Sequence, residues 1–127
     1  MPILRRLLTF IVVIAWAVGC DGGPPVPGAL RVYVVSPNGL ESAAIVELDG
    51  VFDQVEAAPS GTVFSEVTDG RTRIVVIMRS QGDVWFQVFV PNVNEPPTAT
   101  VLEIAGPSND LRSDLDGYRL QFERVTQ

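Results

Sequence analysis

The 127-residue chain has no histidine and no lysine, and it holds a single cysteine. Without histidine there is no imidazole base near neutral pH and no histidine ligand for zinc. Without lysine there is no side-chain amine for a Schiff base. The serines lack a histidine partner, and no glycine-flanked nucleophile elbow occurs. One cysteine excludes an internal disulfide. The cations are all arginine, and against 15 acidic residues they leave a net charge of −6. An acidic chain without a basic cluster argues against binding nucleic acid through its phosphates. No base–nucleophile constellation is left, so the chain reads as non-enzymatic.

The first twenty residues read as a targeting segment. Arg5 and Arg6 precede Leu7 to Val18, an apolar run interrupted only by Thr9. The run falls short of the roughly 20 apolar residues that cross a bilayer, but it suits the core of a signal peptide. Positive charge before it orients its start toward the cytosol. The run ends Ala17-Val18-Gly19-Cys20, which resembles the lipobox of bacterial lipoproteins. The resemblance implies recognition of Ala17, Val18 and Gly19 by signal peptidase II, with cleavage before Cys20. It further implies covalent diacylglycerol and N-acyl lipid on Cys20; no other cofactor is expected. Ala17 stands where leucine is commoner in that family. An uncleaved helical anchor is the alternative. Losing Arg5 and Arg6 with the leader takes the net charge to −8. Asp21 resembles the inner-membrane retention signal of enteric lipoproteins, so the implied location is the cell envelope, on the inner or outer membrane.

Residues 20–28 read as a lipidated tether rich in glycine and proline. Its Pro24-Pro25-Val26-Pro27 stretch favours an extended path of about 3 Å per residue. An ordered segment packed on the domain is the alternative at the Val26 end.

Residues 29–127 have the punctuation of β structure. Short β-branched runs are separated by Pro-Asn-Gly at 37–39, Asp-Gly at 49–50, Pro-Ser-Gly at 59–61, Asp-Gly at 69–70 and 116–117, and Glu-Pro-Pro at 95–97. These residues supply the φ values that tight turns need. The expected strands are Leu30–Ser36, Ala43–Asp49, Gly50–Glu56, Thr62–Val67, Arg73–Arg79, Val84–Pro91, Thr98–Ala105 and Tyr118–Val125. Their spacing predicts an all-β fold, a single antiparallel β-sandwich of about eight strands with Greek-key or jelly-roll connections. A short helical turn is allowed near Ser108–Leu115. Alternation points Ala44, Val46 and Leu48 one way and Ile45, Glu47 and Asp49 the other. Ile74 to Met78 is apolar throughout and reads as a strand covered on both faces. Val84, Phe86, Val88 and Val90 form a core row, with Trp85 and Phe89 opposite.

The Ser36-Pro37-Asn38-Gly39 turn, Ala43-Ala44, the Gly82 turn into Val84–Val90 and Ala99-Thr100-Val101 together resemble cohesin-like and carbohydrate-binding β-sandwich modules. That likeness implies a fold and leaves function open.

Three clusters invite a functional reading. Asp114 and Asp116, with Asp110 upstream, suggest a calcium loop. Arg112 takes a ligand position, and Glu123 comes one residue late, so a solvated acidic turn is the plainer account. Glu47 and Asp49 share a strand face about 7 Å apart, within glycosidase range, though such alternation commonly makes a wet face. Trp85 and Phe89, with Tyr33 from another strand, are the candidate contact residues, either for a partner or as one face of a core strand. The expectation is a non-catalytic, lipid-anchored module that presents a sheet face to a protein. A module for cell-wall or extracellular glycan and a structural envelope component are the alternatives.

Overall fold

The computed structural model describes residues 23–126. Ala17, Val18, Gly19 and Cys20, and with them the expected leader and lipidation site, lie outside the described residues. The strands are β1 (Gly28–Val35), β2 (Glu41–Asp49), β3 (Val55–Ala57), β4 (Gly61–Thr68), β5 (Arg71–Gly82), β6 (Trp85–Val90), β7 (Ala99–Ala105) and β8 (Arg119–Arg124). They form two four-stranded antiparallel sheets, ordered β3-β6-β1-β8 and β4-β5-β2-β7. Each strand of the first half pairs with one of the second half, as when a long hairpin wraps on itself in a jelly roll. The result is a β-sandwich.

Local chemistry sets the turns. Asp69 and Gly70 both adopt positive φ, 53° and 74°, and Thr68 pairs with Arg71 across them. This is the two-residue hairpin that Asp-Gly favours, because its twist matches that of the strands. Strand alternation then loads the space between the sheets. Leu30, Val32 and Val34 of β1 and Phe86, Val88 and Val90 of β6 meet Ala44, Val46 and Leu48 of β2 and Ile74, Val76 and Met78 of β5. All are buried, and burying a side chain such as Phe86 contributes about 1.5–3 kcal/mol.

Three expectations are corrected. The strand expected over Gly50–Glu56 shrinks to Val55–Ala57. Gly50 turns at φ 119°, and Phe52 then plugs the core instead of continuing a ladder. Its N–H goes to Thr72 Oγ1 at 3.0 Å, and Thr72 Oγ1 donates to Gly50 O at 2.8 Å. The helical turn allowed near Ser108–Leu115 is absent. Asn109 at φ 61° and hydrogen bonds between Gly106 and Asp110 and from Asn109 to Gly106 reverse the chain instead. Leu111 then bridges Ala105. Finally, the Ile74–Met78 run is covered on one face only. Ile74, Val76 and Met78 face the core, whereas Ile77 is 46% exposed on the far side. Among the described residues, the two four-stranded sheets leave no third layer to cover it.

The domain also takes up part of the tether. Val26 N–H bonds Asn92 Oδ1 at 3.3 Å, and Val26 O accepts from Val93 N–H at 2.8 Å.

Candidate functional site

The outer face of the β3-β6-β1-β8 sheet carries the expected aromatics. Tyr33 of β1 pairs directly with Trp85 of β6, and Phe89 pairs with Ala29. The Tyr33 and Trp85 rings lie 5.9 Å apart at 34°. The Arg31 guanidinium sits 5.1 Å from the Trp85 ring centre, a cation–π contact that occupies ring surface. Trp85 is half-buried and Phe89 is 39% exposed. The structure therefore joins Tyr33 to Trp85 and leaves Phe89 apart, beyond Gln87. Beside Tyr33 opens a groove of about 550 Å³ lined in part by Ser36, Asp83, Gln121 and Glu123.

At the end of that groove lies a buried carboxylate that sequence reasoning did not single out. Glu41 is 1% exposed and accepts hydrogen bonds from Tyr118 Oη at 2.7 Å and Ser36 Oγ at 2.8 Å. Arg112 clamps it with Nε and Nη2, each at 3.3 Å. Burial alone would raise the Glu41 pKa. The hydrogen bonds from Tyr118, Ser36 and Arg112, with the Arg112 charge, outweigh it and lower the value. Glu41 in turn raises that of Arg112. Among the described residues no buried side-chain nitrogen or oxygen lacks a partner, so the work of the cluster is to pin the long β7–β8 connection to the start of β2. Ser42 Oγ adds a bond to Gly106 O. Glu41 and Arg112 stand 71 positions apart, so no local motif announces them.

The acidic loop is accounted for by its own backbone. Asp114 Oδ1 accepts the Asp116 N–H at 2.9 Å, and Arg112 points to Glu41 rather than into the loop. Among the described residues, no group of three histidine, cysteine, aspartate or glutamate side chains is placed to hold a metal ion. Glu47 and Asp49 do share a face, but Glu47 is taken up by Arg71 and Arg73, each at 3.4 Å.

Comparison with protein-family models, curated proteins and solved structures finds no match to this chain. Its surfaces must speak for themselves.

The outer face of the other sheet carries an apolar band. Its register places Phe64 beside Val75, Thr62 beside Ile77, and Ala43 and Ile45 beside Ile77 and Val75. Ala105 and the bridging Leu111 complete the band. Phe64 is 61% and Leu111 66% exposed, and the hollow among Ala43, Ile45, Val75, Ile77 and Leu111, which Glu103 also lines, measures about 170 Å³. Toward the Asp69-Gly70 turn the same face becomes charged, with Glu47, Glu66, Arg71 and Arg73 around a second hollow of about 460 Å³. Apart from Glu103, one half of the sheet face is thus apolar, and the other is ionic. The sequence signal was present in Ile77, but it was read as double coverage.

Proposed function

We propose that the chain is a lipid-anchored, non-catalytic envelope protein whose sandwich serves as a protein-interaction module. The observation that carries this reading is the uncovered apolar band from Phe64 through Val75 and Ile77 to Leu111. Contiguous exposed apolar surface rimmed by charge favours association with another macromolecule over standing in water. The topology agrees with an outward display. Val26 meets Asn92 and Val93 at one end of the sandwich, whereas the turn after β1 carries Glu41, and with it Ala43, to the opposite end. Lipid on Cys20 would hold the first end near the bilayer and turn the Ile77 band away from it.

The test is capture from envelope extract with the full chain in detergent micelles. The expected result is a protein retained by the unaltered chain and by Val51→Asp, an exposed site elsewhere, and lost with Ile77→Asp. Equal retention by all three would remove the face from consideration.

A second reading, a glycan module, draws on the Tyr33–Trp85 pair beside the groove with Asp83, Gln121 and Glu123. Flat rings flanked by polar groups suit a sugar face. A glycan array read by binding that Trp85→Ala abolishes would support it, and silence across the array would count against it.

A further inference from the structure

We infer that the partner joins the sandwich as an extended strand added to the open edge of β4. This rests on the protein-interaction reading above and names the form the partner takes. Antiparallel strands turn alternate residues toward each neighbour. Arg79 N–H donates to Ser60 O at 2.9 Å, in line with the register that pairs Gly61 with Met78. Residues 60, 62, 64, 66 and 68 therefore point their backbone groups at β5, and 61, 63, 65 and 67 point theirs outward. Gly61 agrees, since its N–H reaches away to Ala58 O at 2.9 Å. Among the described residues, β4 pairs with β5 alone, and no hydrogen bond satisfies the outward groups of Val63, Ser65 and Val67.

The other edges are protected in the ways sheets commonly use. Strand β3 is only three residues long. Strand β7 is bulged where it pairs with β2 near Ile45/Val46, and its end is closed by Leu111 and by Arg112 N–H on Ile104 O. Strand β8 carries Arg119, Glu123 and Arg124. Strand β4 has eight residues, no proline and one charge, Glu66. Its exposed Phe64 and Val67 flank the free backbone.

Backbone groups in this register accept an extended chain and little else, and the flanking side chains select its sequence. An incoming antiparallel strand meets Phe64 and Glu66 on the outer face and Val63 and Val67 on the inner. It therefore carries apolar residues at alternate positions and an arginine or lysine opposite Glu66. Arg73 faces Glu66 from β5 but is already bonded to Glu47, so the carboxylate remains free for the partner. A fifth strand here also extends the apolar outer face beyond Phe64.

The strand β5 already shows which sequence suits β4, so a synthetic peptide of residues 71–80, acetylated and amidated, is the probe. It is titrated into the full chain in detergent micelles, beside a scrambled peptide of the same composition. Amide exchange is read residue by residue. The expected result is slowing of about tenfold or more at Val63, Ser65 and Val67, with Thr62, Phe64 and Glu66 slow throughout. Ser65→Pro deletes one outward N–H and leaves the β5 ladder intact, so it should weaken the peptide about tenfold. Val67→Lys, which keeps the backbone unaltered, should weaken it as well. Equal binding by the scrambled peptide, no binding, or slowing that ignores the odd positions would overturn the proposal. Slow odd amides in the peptide-free chain that quicken on dilution would assign the edge to a second copy and overturn it too. If Ile77→Asp loses the captured protein while Ser65→Pro keeps it, the face binds and strand addition fails. If neither variant loses it, both readings fail.

Discussion

Replacing Glu41 with glutamine preserves the shape of the side chain and removes the charge on which its cluster depends. Glu41 accepts from Tyr118, Ser36 and both reaching nitrogens of Arg112 while only 1% exposed. The amide offers one acceptor oxygen and turns a donor toward other donors. Breaking a buried ion pair from one side costs about 3–5 kcal/mol. The Arg112 side chain keeps 28% of its surface in water, which screens the charge left behind, so the expected loss is about 2–3 kcal/mol at neutral pH. For a domain of this size that lowers Tm by about 10–20 °C. The acid dependence has a definite sign. The folded-state pKa of Glu41 lies below its ordinary value of 4.5, so the carboxylate stabilises the fold fully above that value. The contribution is lost as pH falls through the lowered folded value. Melting curves by circular dichroism should therefore show the widest gap between the unaltered chain and Glu41→Gln near neutral pH, closing below pH 4.5. Adding Arg112→Gln to Glu41→Gln should cost much less than Arg112→Gln alone, because the two residues act as one unit. Coincident melting of Glu41→Gln and the unaltered chain at neutral pH, or a gap that persists unchanged into acid, would refute the reasoning.

Thr72→Val removes a fully buried hydroxyl that satisfies both Phe52 N–H and Gly50 O; denaturant unfolding should show a loss of about 1–3 kcal/mol from the orphaned groups. Gly61→Ala places a Cβ 3.0 Å from Met78 Sδ, and the same assay should show a loss of about 1–3 kcal/mol from overpacking, less if Met78 swings aside. Phe64→Ser, at a side chain 61% exposed, should leave stability within about 0.5 kcal/mol, and a larger loss would mean that the band belongs to the core. Cys20→Ala should release the protein from membranes or stall its processing, and an unchanged mass and membrane partition would defeat the proposed anchoring.

The two-residue period made most of the fold legible before any coordinates. Ala44, Val46 and Leu48 against Ile45, Glu47 and Asp49 assigned β2 its faces, and Asp69-Gly70 named its hairpin by chemistry alone. Trp85 and Phe89 were placed opposite the core row and Tyr33 was grouped with them, but the direct pairing of Tyr33 with Trp85 depends on the β1–β6 register, which alternation does not set. What escaped was contact between distant positions. Glu41 reads locally as a polar residue at a strand start, and Arg112 as a flaw in an acidic loop. Their meeting is a consequence of the β7–β8 connection folding back to β2, and its signal is spread over 71 positions.

The misreading of Ile74–Met78 has a different origin, and it bears on function. An unbroken apolar run is expected where both faces of a strand are kept from water, but it does not record what covers each face. Inside the chain, two four-stranded sheets supply one covered face apiece. Ile74, Val76 and Met78 use it. Val75 and Ile77 stand on the other face, together with Phe64, Ile45 and Leu111, where the described residues place no covering layer. A strand face written only for solvent would alternate as β8 does, with Arg119, Gln121 and Glu123 exposed. The absence of that alternation in β5 is what supports the proposed partner, and the β4 edge beside it is where the proposed strand adds.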